Sequence, residues 1–173
     1  MADRALFVGR FQPFHNGHLN CLTRILSKHD EVVIVIGSAQ ENFTAKNPFT
    51  VGEREEMIAS TLKANDLYDK CFITAVPDTH EAALWAKRVL SYAPKVGKNA
   101  YSNNSWVSLL LREEGLTVHK LSNYKGIRAT KVRRQMQQGS AWKKLVPKQV
   151  EQFIQKNNLT QRVRQTAKIG EKI

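Results

Sequence analysis

The 173-residue chain has few cysteines, with only Cys21 and Cys71 present. They lie far apart in apolar stretches, which argues against a disulfide framework and predicts two reduced core thiols. His29, His80 and His119 are scattered, with none of the Cys/His spacing that holds zinc, so no protein-held metal site is expected. Proline, glycine and serine never gather into a linker, and the length suits one domain with a full core. No apolar run reaches the roughly 20 residues that cross a bilayer. Met1-Ala2-Asp3-Arg4 leads at once into an apolar stretch, so no signal peptide is expected and the cytoplasm is the expected compartment. No GxGxxG follows that first stretch, which excludes the glycine fingerprint of dinucleotide-binding folds.

Negative charge is missing from one region in particular. The net charge is +12, yet residues 1–119 are balanced, and residues 120–173 hold 14 Lys/Arg against Glu151 and Glu171. Such an excess is either a solvated basic face or an attractor for polyanions. Past Lys156 the basic residues lack interleaved aromatics, which makes nucleic acid an unlikely partner, because single-strand binding needs stacking platforms. Residues after about Leu159 read as a polar, loosely ordered tail. The expected layout is one domain over residues 1–159 and a basic tail over 160–173.

Strands and helices alternate in the pattern. Strands are predicted at Arg4–Gly9, Glu31–Gly37, Cys71–Val76, Asn99–Ser102 and Thr117–Lys120, with helices at Leu19–Lys28, Val51–Lys63, Glu81–Ser91, Trp106–Glu114, Thr130–Gln138 and Val146–Lys156. Thr50-Val51-Gly52-Glu53 reads as a capping box. Continuous apolar strands such as Val32-Val33-Ile34-Val35-Ile36 belong inside a sheet covered on both faces. The βαβα order predicts an α/β fold with a doubly wound, mostly parallel sheet. Ligands of such sheets bind beyond the carboxyl ends of the strands.

Two junctions stand at those ends. His15-Asn16-Gly17-His18 follows the first strand and opens a helix, where unpaired N–H groups and a partial positive charge favour phosphates. Arg10 precedes it, with a guanidinium suited to bidentate phosphate contact. Downstream, Thr130 reads as an N-cap, and Arg133 lies three residues on, facing any anion bound there.

The HxGH motif and the late Thr130-Lys131-Val132-Arg133 motif resemble the paired signature of the HIGH-type nucleotidyltransferases, which have a Rossmann-like fold. Further blocks narrow the resemblance: Gly9–Leu19, Gly37-Ser38-Ala39-Gln40, Asn47–Arg54, Tyr101–Asn104 and Leu145-Val146-Pro147. Together they resemble the archaeal-type nicotinamide-nucleotide (NMN) adenylyltransferases over about residues 5–150. Two positions depart from that pattern. Arg128 stands where the family usually has Ser or Thr, and Asn42-Phe43 stands where it usually has Ser-His.

The resemblance implies transfer of AMP from ATP to NMN, giving NAD and pyrophosphate, with Mg2+ arriving on ATP. Catalysis would fall to His18, His15 and Arg133. ATP would be bound by Gly9, Arg10, Phe11, His15, Gly17, His18, Thr130 and Arg133, and NMN by Ser38, Asn47, Arg54, Asp78, Trp85 and Asn104. Trp85 would stack on the cationic nicotinamide ring, although its helical spacing equally suits core packing, and Arg54 equally suits pairing with Glu55 or Glu56. A homohexamer is implied as well. Nicotinate mononucleotide stays open as an acceptor. So do phosphopantetheine, FMN and a cytidylyl transfer, which the two phosphate motifs cannot separate.

Overall fold

The computed structural model describes residues 2–139 and 141–170. Five parallel strands form one sheet: β1 (Arg4–Gly9), β2 (Glu31–Ile36), β3 (Cys71–Ala75), β4 (Asn99–Tyr101) and β5 (Thr117–His119). Their spatial order is β3-β2-β1-β4-β5, so the chain reverses direction across the sheet between β1 and β4. Crevices for ligands open at such a reversal. The helices are α1 (Asn16–Leu26), α2 (Val51–Lys63), α3 (Ala82–Tyr92), α4 (Ser105–Glu113), α5 (Ala129–Gln138), α6 (Lys148–Lys156) and α7 (Leu159–Gly170).

Alternate residues of each strand face opposite sides, and here both sides are covered. Ala5, Phe7, Val32, Ile34 and Ile36 join the core built with α1, α2, α5, α6 and α7. Leu6, Val8, Val33 and Val35 join a second core under α3 and α4, with Trp85, Val89 and Leu111. This double burial is why the central strands β1 and β2 are apolar along their buried lengths.

Helix α2 begins as predicted. The Thr50 hydroxyl accepts from the Glu53 N–H at 3.3 Å, and the Glu53 carboxylate accepts from the Thr50 N–H at 2.9 Å. Helix α1 begins three residues earlier than predicted, because His15 is itself the N-cap. Helix α5 begins at Ala129, with Arg128 as the N-cap, so Thr130 is not the cap but the second helical residue.

The loosely ordered tail is corrected for residues 160–170. They lie in α7, whose Leu159, Val163 and Thr166 are buried at i, i+4 and i+7, with Leu159 and Val163 in the same core as Val132 and Met136. Thr166 obscures the stripe in the sequence, but its hydroxyl donates to the Arg162 carbonyl at 3.0 Å, which lets it sit inside. The remainder of the expected tail, residues 171–173, lies outside the described residues. No helix among the described residues is long and apolar enough to cross a membrane.

Candidate functional site

A cavity of about 920 Å³ opens at the carboxyl ends of β1, β2 and β4, where the chain reverses. Gly9, Arg10, His15, Gly17, His18, Ser38, Asp78, Trp85 and Asn104 all border it. The start of α5 contributes Ile127, Arg128 and Ala129. The sequence-predicted residues that do not border it are Phe11, Asn47, Arg54, Thr130 and Arg133.

The two histidines form a reciprocal cap. His15 Nδ1 accepts from the His18 N–H at 3.2 Å, and His18 Nδ1 accepts from the His15 N–H at 3.3 Å. The rings stack with centroids 3.5 Å apart and planes 14° from parallel. With Nδ1 used as an acceptor in both rings, the proton of each neutral imidazole is assigned to Nε2, leaving an N–H donor on each. A Cβ on Gly17 would come 3.0 Å from the His15 ring, so a side chain there would press on the stacked pair. Phe11 lies under the site rather than in it. Its buried ring packs edge-on to His18 at 4.9 Å, and a Cβ on Gly9 would meet it at 2.9 Å. Gly9 and Phe11 therefore shape the support for His18.

Burial lowers the His15 pKa from 6.5 to about 4. Burial, followed by the charge of His15, holds His18 well below its ordinary value. Both rings are therefore neutral donors near pH 7. The unfolded chain protonates His15 below pH 6.5, and the folded chain resists until about pH 4, so stability drops as pH falls through that window. The loss attributable to this ring approaches about 3 kcal/mol at the acid end. Urea titrations of His15→Asn, which keeps a capping oxygen, are expected to show a shallower decline across this window than the parent. Parallel declines would contradict the assignment.

Arg133 is buried and donates to the Gln12 carbonyl at 2.8 Å; burial, then the charge of Arg10, lowers its pKa to about 10. Gln12 in turn donates to the Phe49 carbonyl at 2.9 Å and accepts from the Phe49 N–H at 3.0 Å. Arg10 itself is exposed and reaches Asn47 Oδ1 at 3.4 Å. Thr130 is exposed on the first turn of α5. Arg128 makes no side-chain cap bond to that turn, so its leading N–H groups face the cavity edge with no side-chain cap among the described residues.

Also on the cavity wall, Asn104 caps α4, its side-chain oxygen accepting from the N–H groups of Trp106 at 3.0 Å and Val107 at 3.2 Å. Only its NH₂ remains for a ligand. Asp78 accepts from Gln40 at 3.2 Å and is otherwise open to solvent. Trp85 is 2% exposed, and its indole N–H is buried without an acceptor among the described residues. Its ring lies 5.4 Å from that of Trp106, which is 44% exposed and also borders the cavity. The sequence reading missed Trp106, although it directly follows the Asn104-Ser105 helix start.

Arg54 requires a correction. It is fully buried, and all five of its N–H donors end on main-chain carbonyls: Thr50 from Nε, Arg10 and Gly37 from Nη1, Ser38 and Ala39 from Nη2, at 3.0–3.3 Å. It has no donor left for a ligand, nor for Glu55 or Glu56. Its work is to tie the ends of β1 and β2 to the start of α2.

Among the described residues no cluster of three or more His, Cys, Asp or Glu side chains could hold a metal ion. The cavity wall carries Arg10, Lys120 and Arg128 against the single carboxylate of Asp78. Such a wall suits an anionic ligand.

A family model described as cytidylyltransferase-like matches residues 6–135. The nicotinamide-nucleotide adenylyltransferase of Thermococcus kodakarensis is 41% identical over 170 residues, spanning 96% of this chain and 90% of its own. The protein of the same name from Picrophilus torridus is 40% identical, spanning 97% and 99%. Among solved structures, a bifunctional NMN adenylyltransferase/ADP ribose pyrophosphatase from Francisella tularensis, complexed with AMP and a manganese ion, has a TM-score of 0.78 at 26% identity. The match covers 95% of this chain and 52% of that one. Matched by the family model over most of its length, and by full-length relatives at 40–41% identity, the chain belongs to the cytidylyltransferase-like family and, within it, to the nicotinamide-nucleotide adenylyltransferases.

Proposed function

We propose that the protein transfers AMP from ATP to NMN, forming NAD and pyrophosphate. The observation that carries this reading is the joint lining of one cavity. Neutral imidazole donors, Arg10 and the start of α5 line it together with Trp85, Trp106, Asp78 and Asn104.

A phosphate oxygen of NMN attacks the α-phosphorus of ATP, and the bond from that phosphorus to the oxygen bridging the α- and β-phosphates breaks, releasing pyrophosphate. Such a transfer needs positioning and charge stabilisation more than covalent help. His18 donates from Nε2 to the α-phosphate as charge grows there, and His15 and Arg10 hold the phosphates beyond it. Thr130 and Arg133, at the start of α5, take the β/γ end, with Arg133 exchanging the Gln12 carbonyl for a phosphate oxygen. A divalent ion, read here as Mg2+, would be held mainly by phosphate oxygens and water, and it would neutralise charge on the leaving pyrophosphate. On the acceptor side, Ser38 and Asn104 meet the NMN polar groups, with Asn47 acting through Arg10. Asp78 faces the positive nicotinamide, and the Trp85–Trp106 pair offers it an aromatic wall. We also read the protein as cytoplasmic and as a homohexamer.

The test is an end-point assay with Mg2+ and ATP against NMN, nicotinate mononucleotide, phosphopantetheine and FMN, with products resolved by chromatography. NAD from NMN supports the proposal. A different adenylylated product would keep the phosphate chemistry and discard the acceptor, whereas the absence of pyrophosphate with any acceptor would refute the reaction. Trp85→Phe keeps the core filled while weakening the cation–π face. It is expected to raise KM for NMN roughly fivefold with little change for ATP. Equal changes for both substrates would remove Trp85 from the acceptor site.

A further inference from the structure

Two features are left unused by this chemistry: the basic C-terminal helix and the Asn42-Phe43 departure. They meet at Arg162 on α7. Its guanidinium carbon lies 4.6 Å from the centroid of the Phe43 ring. Its Nη1 donates to both oxygens of Glu53, at 2.7 and 2.6 Å. The same Glu53 carboxylate accepts from the Thr50 N–H at 2.9 Å, closing the cap of α2. Arg162 thus touches Phe43 directly and reaches the other end of the 42–50 segment through Glu53.

The contacts continue toward the cavity. Phe43 is 56% exposed and holds φ at +54°, a conformation that costs a bulky side chain energy and needs support from its surroundings. Next to it, Thr44 and Asn47 close a turn through two hydrogen bonds of 3.2 and 3.0 Å. Asn47 then accepts from Arg10, which borders the cavity. At the far end of α7, a Cβ on Gly170 would fall 3.2 Å from the Ala45 side chain, so the helix lies directly against the segment.

We infer that Arg162 is a positioning residue for the nucleotide site, fixing the 42–50 segment and through Asn47 the direction of the Arg10 guanidinium. The inference rests on the proposed role of Arg10 as a phosphate ligand. Helix α7 is then part of the working site, and Phe43 is the partner that this chain supplies to it.

The test compares Arg162→Ala, Arg162→Lys, Phe43→Leu and Arg10→Ala with the parent. Arg162→Ala is expected to raise KM for ATP five- to tenfold with kcat within twofold. Arg162→Lys, which keeps a cation near both partners, is expected to recover at least half of the loss. Phe43→Leu is expected to reproduce part of the loss and to add nothing in the Arg162→Ala background. Hydrogen exchange supplies a readout that needs no substrate: amides of residues 42–50 are expected to exchange at least tenfold faster in Arg162→Ala, with those of β1 unchanged. A raised ATP KM in Arg10→Ala alongside an unchanged one in Arg162→Ala would overturn the inference and spare the Arg10 reading. An unchanged KM in Arg10→Ala would overturn both. A lowered melting temperature without the KM and exchange effects would make Arg162 merely structural and would also overturn the inference.

Discussion

His18→Ala should lower kcat by about 10²–10³-fold, the usual cost of losing one preorganised donor to a developing oxyanion. The expectation follows from the geometry of the cap. His18 Nδ1 is occupied by the His15 N–H at 3.3 Å, so Nε2 is the atom left to face a phosphate. Burial keeps the ring neutral in the free protein, so the donor is present without a proton being taken from solvent. The ring is also held by aromatic neighbours, with Phe11 at 4.9 Å and Phe14 at 5.5 Å, which limits the reorganisation needed during the reaction. Because the contact strengthens as charge develops, KM for both substrates should change by less than threefold.

The substitution also removes one arm of the α1 cap, so about 1 kcal/mol of stability should be lost. Urea unfolding measured alongside the kinetics separates the two effects. A folded His18→Ala enzyme with parental kcat would end the catalytic assignment. A parallel His15→Ala should lose more stability and less kcat, because His15 is the N-cap itself and stands farther along the phosphates.

The sequence made the sheet legible for a simple reason. Strands buried on both faces cannot carry polar residues, so Val32–Ile36 could hardly be read otherwise. The Thr50–Glu53 cap and the site at the carboxyl ends of the strands followed from equally local rules. The HxGH motif was legible as a phosphate junction, but its first histidine was not legible as a helix cap, because Ser, Thr, Asp and Asn usually take that position. In the sequence Gly9 and Phe11 stand out only as ATP-binding residues implied by the resemblance. Only the packed structure shows the ring filling the space that the glycine leaves, beneath His18. Helix α7 was hidden by a buried threonine in its apolar stripe, and Trp106 by the lack of any local rule that turns a helix-start tryptophan toward a cavity. Arg54 was the least legible of all. A charged residue among Glu53, Glu55 and Glu56 reads as surface, and nothing nearby announces that five carbonyls from three separate segments converge on it.

That convergence makes Arg54→Met the substitution with the largest expected effect on folding. It keeps an unbranched, apolar stem of comparable reach and removes every donor. The carbonyls of Arg10, Gly37, Ser38, Ala39 and Thr50 then lose their guanidinium partner together. Each buried orphan costs about 1–3 kcal/mol, and those near the cavity can recover part of this from water. A loss of about 4 kcal/mol or more in urea-derived stability is therefore expected, within the range reserved for broken buried networks. Arg54→Lys has three donors on a single nitrogen, cannot span the three segments, and should recover less than half of the loss.

The effect on activity should follow from the same geometry. The Arg10, Gly37 and Ser38 backbones all border the cavity at the adjoining ends of β1 and β2, so KM should rise about tenfold for both ATP and NMN in the Lys variant. A direct acceptor ligand would behave differently, raising KM for NMN alone at unchanged stability. Joint loss of stability and of both affinities would establish Arg54 as the buried clamp that aligns the ends of β1 and β2 at the site.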